Sequence, residues 1–181
     1  MTITEELSLP TRAPSALLRA APHPPPHEAL GPVALLDLLQ DYVAETASFL
    51  PLARPDLVER RYDLLETADD FEIWAIHWPQ GQGLELHDHG GAAGALWVVE
   101  GSLEERYIGA DATVGRRSLG AGTGAAFGPS YVHDVLNVQT TPATSVHAYS
   151  PPLQSMTFYR QDGRSLRVER AEYRSDSSWA P

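Results

Sequence analysis

Between Arg61 and Arg170 the chain breaks into ten short runs in which apolar and polar residues alternate: RYDLLE, FEIWAIHW, LELHDH, ALWVVEG, LEERYI, TGAAFG, VHDVLNV, TSVHAYS, SMTFYRQ and SLRVER. A period of two puts successive side chains on opposite faces of an extended strand. Turn glycines separate the runs at Gly81, Gly101, Gly120, Gly122 and Gly124. The Asp162-Gly163 pair, set between two alternating runs, is a hairpin signal. Short strands at this spacing, without a βαβ rhythm, predict an all-β fold, an antiparallel sandwich or barrel.

The residues before this segment read differently. Residues 1–28 are rich in proline and end in APHPPPHEAL, which predicts an extended arm rather than helix or sheet. His23 and His27 bracket its prolines and read as solvated tail residues. Gly31-Pro32 then opens VALLDLLQDYVAETASFL, where Leu35, Leu36, Leu39, Tyr42, Val43 and Phe49 recur at helical spacing. A short second helix is expected after Pro55. The expected organisation is therefore an arm over 1–28 and one domain over 29–181, helical over about 31–60 and a β-barrel over about 61–175.

Two absences limit the chemistry. There is no cysteine, so there is no disulfide, thiolate ligand or cysteine nucleophile. All 13 basic residues are arginine, which excludes a lysine Schiff base and a P-loop lysine. The net charge of −11 argues against a nucleic-acid surface. No apolar run is long enough to span a bilayer, and the N-terminus lacks a basic start followed by an apolar block. The expectation is a cytoplasmic monomer acting on small molecules, with no nucleic-acid or membrane partner.

The stretch LELHDH carries the strongest chemical signal. On a strand, His87 and His89 share a face, roughly 6–7 Å apart, while Asp88 points away. Two imidazoles at that distance can close on one ion. Glu85 shares the face but is too far from His89 for all three to bind one ion. The third ligand must come from another strand, with His133 ranked first, His147 second and His77 weaker.

GQGLELHDHGGAAGALWVVEG resembles the first motif of the cupin barrels, and HDVLN resembles the second. The resemblance implies a cupin-type antiparallel β-barrel, jelly-roll-like, with N-terminal helices. In that pattern a glutamate normally follows the histidine pair, but here its slot falls at Ala93 or Gly94. The site would then be His87, His89 and His133. Three neutral imidazoles leave a divalent ion its full charge and leave coordination positions open. Such a centre favours an anionic bidentate ligand, such as a thiolate with a neighbouring amine.

At this level the chain resembles the type I cysteine dioxygenases. In addition to HDH and YVHDVLNV, the segment SVHAYSPP is similar to the family's Ser-x-His-x-Tyr-Ser-Pro. The resemblance implies Fe(2+) on three histidines and conversion of L-cysteine and O2 to cysteine sulfinate. It implies that Ser145, His147 and Tyr149 form a polar line ending at the substrate, with a cis bond at Ser150-Pro151. In RRYDLL it implies Arg61 as the clamp for the substrate carboxylate. Arg60 is the neighbour on the opposite face, so only one of the two can serve.

Animal members carry a cysteine, crosslinked to the tyrosine, where Gly94 stands, and a tyrosine where Glu59 stands. No crosslink is expected here. Trp78 and Trp97 read as core, and Asn137 as a support on the face of His133. Two other readings remain: a dioxygenase of 3-mercaptopropionate, whose members carry glutamine at the arginine position, and a cupin sensor or enzyme of another reaction class.

Overall fold

The computed structural model describes residues 29–109 and 112–174. The expected arm, with His23 and His27, lies outside the described residues. The described chain runs α1 (Pro32–Thr46), β1 (Arg61–Thr67), β2 (Glu72–Trp78), β3 (Gly83–His87), β4 (Ala93–Glu100) and β5 (Ser102–Ile108). It continues through β6 (Val114–Gly120), β7 (Gly124–Phe127), β8 (His133–Leu136), β9 (Ala143–Ser150), β10 (Ser155–Asp162) and β11 (Ser165–Tyr173). The strands form two antiparallel sheets, ordered β1-β2-β9-β4-β7 and β11-β10-β3-β8-β5-β6.

The period-two pattern explains the layers. In β2, Trp74, Ile76 and Trp78 belong to the core that also holds Leu84, Leu103, Val135 and Phe158 of the second sheet. The alternate residue Ile73 joins Ala93, Ala95, Val146 and Ala148 under Leu35 and Leu39 of α1. Strand β9 is therefore covered on both faces and buried along its whole length. Leu35 and Leu39 are fully buried, which contributes about 1.5–3 kcal/mol each.

The helix is shorter than its apolar spacing suggests. It starts at Pro32 with Gly31 as N-cap but stops at Thr46, so Phe49 falls beyond it and is 86% exposed. No helix forms after Pro55. Instead Leu57 N donates to Arg54 O in a turn, and the segment is tied down by Ala53 N donating to Thr144 Oγ1. Thus the described part has one helix rather than the expected helices.

The strand β6 was not among the alternating runs. Its sequence VGRRSLG buries only Leu119, and Arg117 uses an inward position to meet a carboxylate of β5 rather than to fill the core. The β10–β11 hairpin pairs Asp162 with Ser165, so Gly163 and Arg164 form its two-residue loop, with Gly163 at φ +61°.

Candidate metal centre

Strand β3 ends at His87, so His89 lies beyond it rather than on the same strand. The β3–β8 register also slips. Leu84 pairs with Val135 and His87 with His133, leaving one extra residue on β3. That bulge breaks the alternation and corrects the expected placement of Glu85. The carboxylate is turned outward to an ion pair with Arg170 at 2.8 Å, while His87 is buried. Asp88 points away as expected. It accepts from Tyr159 Oη at 2.6 Å and from Gly90 N at 2.9 Å, fixing the turn that swings His89 inward. Gly90 takes φ +59°, and a Cβ there would meet the Ser155 backbone.

His87, His89 and His133 are buried, and each offers a ring nitrogen within 4.8 Å of the others. Their ring centroids are 4.7–5.0 Å apart. Two tautomers are fixed by what the rings meet. His87 Nδ1 donates to Glu85 O at 2.7 Å, and His133 Nδ1 donates to Glu105 Oε1 at 2.7 Å. Both acceptors require a proton on Nδ1, which leaves a lone pair on each Nε2. His89 Nε2 lies 3.3 Å from His133 Nε2, and His89 Nδ1 has no partner. Burial, followed by the mutual repulsion of the rings, holds His87 and His89 well below the usual histidine range. Neutral imidazoles with lone pairs facing one another are the donor set a divalent cation needs, so these residues fit a metal.

No carboxylate enters this set. Ala93 faces the helix side of its sheet. A Cβ at Gly94 would lie 2.3 Å from the Phe127 ring and 3.1 Å from Tyr149 Cδ1. The ring that stacks on His89, with centroids 4.7 Å apart, therefore fills the space a side chain at 94 would use.

Strand β9 brings a polar line to the same interior. Ser145 Oγ is 2.8 Å from His147 Nε2, and His147 Nδ1 is 3.2 Å from Tyr149 Oη. Trp78 Nε1 donates to Ser145 Oγ at 2.8 Å. Indole is a donor only, so the serine hydrogen is left for His147 Nε2, and His147 donates from Nδ1 to Tyr149. The Tyr149 hydroxyl hydrogen is then free to point onward. Burial drives His147 down to about 3 and, with the nearby Glu72 charge, pushes the Tyr149 phenol well up. The Ser150-Pro151 bond is cis.

The two arginines separate as the alternation requires. Arg61 is on the outer face, 61% exposed and paired with Asp63 at 2.8 Å; the fold does not bring it to the triad. Arg60 turns inward. Its guanidinium lies over the rings of Tyr62 and Trp78 at 5.1 and 5.3 Å, and its buried Nη1 has no partner. Burial lowers its pKa, and its charge in turn lowers those of His87, His147 and Tyr149. Glu59 is exposed.

Other expected residues have other places. His77 is on the outer face, 3.0 Å from Asp63 and 3.4 Å from Thr144. Trp97 packs under α1. Asn137 clasps its own turn, donating to Trp78 O and Thr141 O at 2.9 and 2.8 Å, and does not support His133. That support comes from Glu105, which the sequence reading missed. Its signal was an acid in the apolar phase of LEERYI, two residues after Leu103. Burial alone would raise the Glu105 carboxyl, but hydrogen bonds from His133 and Arg117 outweigh it and bring it down to about 2.

A two-sheet antiparallel barrel with three buried imidazoles converging inside it defines a metal-binding cupin. Its fold matches a recombinant oxalate oxidase solved with glycolate, with a TM-score of 0.51 at 18% identity over 60% of this chain and 59% of that one. Residues 32–162 match the family Cysteine dioxygenase type I, and the chain belongs to that family. It is 25% identical over 145 residues to a protein of Danio rerio named Cysteine dioxygenase type 1, covering 74% of this chain and 72% of that protein. Among the described residues, no helix is long and apolar enough to cross a membrane.

Proposed function

We propose that this chain is a non-haem iron thiol dioxygenase that converts L-cysteine and O2 to cysteine sulfinate. One observation carries the reading: a buried guanidinium nitrogen without a partner, turned to the side of the barrel that holds three neutral imidazoles. Family membership supports the thiol chemistry.

His87, His89 and His133 would hold Fe(2+). When bound, that ion supplies Lewis acidity toward a thiolate and the one-electron chemistry that makes dioxygen reactive. Arg60, rather than Arg61, binds the substrate carboxylate, since a guanidinium fork matches that group and burial strengthens the pairing. Holding the carboxylate fixes where the thiol end of a short substrate can reach. Tyr149, oriented by His147 and Ser145, directs its hydroxyl hydrogen to the reacting oxygen or sulfur. Its raised pKa keeps that proton in place at neutral pH. Two S–O bonds form and the O–O bond breaks. Sulfur loses four electrons, dioxygen gains four, and the thiol proton passes to solvent or to the sulfinate.

Oxygen uptake by the iron-loaded protein tests the reading, with L-cysteine and 3-mercaptopropionate compared and sulfinate quantified. One sulfinate per dioxygen with L-cysteine is expected. Preference for 3-mercaptopropionate would keep the reaction and change the substrate. No uptake with either at verified iron occupancy would overturn the proposal.

A further inference from the structure

The three imidazoles differ in what stands behind them. His89 Nδ1 meets nothing, His87 Nδ1 meets a neutral backbone carbonyl, and His133 Nδ1 meets a carboxylate. Glu105 sits on β5 with its side chain fully buried. It gathers donors from three elements. Oε1 accepts from His133 Nδ1 at 2.7 Å and from Tyr131 Oη at 3.1 Å, and Oε2 accepts from Arg117 Nε. Arg117 Nη2 also donates to Tyr131 Oη at 3.2 Å, closing a ring of hydrogen bonds. A buried carboxylate costs several kcal/mol unless it is paired this fully. Bracing β5, β6 and β8 would not by itself require that one of its donors be a converging imidazole.

Resting on the metal reading above, we infer that Glu105 is a positioning residue that supplies, through His133, the negative charge a three-imidazole donor set lacks. A carboxylate on Nδ1 raises the basicity of Nε2 and fixes the ring in the tautomer that presents a lone pair inward. Arg117, whose side chain is 35% exposed, moderates that charge from the other side. The two residues therefore act with opposite sign on the centre. Removing the carboxylate makes the ferric state harder to reach; removing the guanidinium makes it easier.

The test uses full-length protein loaded anaerobically with ferrous iron, as wild type, Glu105→Gln and Arg117→Gln. Iron affinity is measured by chelator competition and the Fe(III)/Fe(II) midpoint potential by redox titration, with metal-free thermal melts as a control for folding. Glu105→Gln can still accept from His133 but carries no charge. It is expected to bind iron about 10–100-fold more weakly and to have a raised midpoint potential. Arg117→Gln is expected to have a lowered potential. A folded Glu105→Gln with unchanged affinity and potential would overturn the inference. So would weaker iron with an unmoved potential, since bracing alone produces that. Should Glu105→Gln fail to fold, Arg117→Gln decides: a lowered potential supports the role, and an unchanged or raised one overturns it. Wild-type protein that retains no ferrous iron would overturn the metal reading and the role of Glu105 with it.

Discussion

The two faces of the sheet β1-β2-β9-β4-β7 hold similar residues in different circumstances. On the outer face, His77 meets Asp63 and Thr144, and Arg61 meets Asp63. On the inner face, His89 Nδ1 and Arg60 Nη1 are buried without a partner. His77 is 2% exposed and His89 1%, so burial does not distinguish them. What distinguishes them is whether the fold completes the hydrogen bonds. The outer set is closed on itself and reads as structure. The inner set is incomplete without something from outside, which is the mark of a binding site.

The largest contrast should come from histidine. His133→Ala is expected to lose iron and with it turnover, because two imidazoles seldom retain a ferrous ion. His77→Ala should keep full iron and cost about 1–3 kcal/mol of stability through the unmet Asp63 and Thr144. Metal analysis and thermal melts of both variants check this, and iron loss from His77→Ala would erase the distinction between the faces.

The adjacent arginines sharpen the comparison. Arg60→Ala should lower kcat/KM about 100-fold, the order expected for a charged hydrogen-bonded contact. Arg61→Ala removes only an exposed ion pair and should cost under about 1 kcal/mol of stability, with kinetics unchanged. Steady-state kinetics with the reverse outcome would return the carboxylate clamp to Arg61.

Acid probes the inner face alone. The neutral form of His147 is the one that folds, with its pKa lowered to about 3 by burial. The unfolded chain, with an ordinary histidine pKa near 6.5, takes up the proton first. The contribution of His147 is therefore complete above about pH 6.5 and is lost as pH falls toward 3, by about 2 kcal/mol between pH 6 and 4. Denaturant titrations across that range should be steeper for wild type than for His147→Gln; equal slopes would show that the proton is not excluded by the fold.

The mildest inner-face change is Tyr149→Phe. It should keep iron and slow sulfinate formation about tenfold, the worth of one hydrogen bond. Single-turnover assays at verified iron content check this, and unchanged turnover would make the phenol structural.

Much of this was legible in the sequence because a strand has a period of two. That period fixed the all-β class, the inward line of Ser145, His147 and Tyr149, and the opposition of Arg60 and Arg61. It failed where the chain departs from it. The β3 bulge turned Glu85 outward and carried His89 off the strand. Helical spacing likewise overran the real end of α1, because the chain turns away at Thr46 and leaves Phe49 uncovered. By itself, then, the sequence determined the elements, the faces and the metal-binding residue types, since these follow from local geometry and chemistry. Only the tertiary structure decided which arginine faces inward and that Glu105 stands behind His133. Both depend on how strands distant in sequence come into register, and on which buried polar atoms that register leaves unmet.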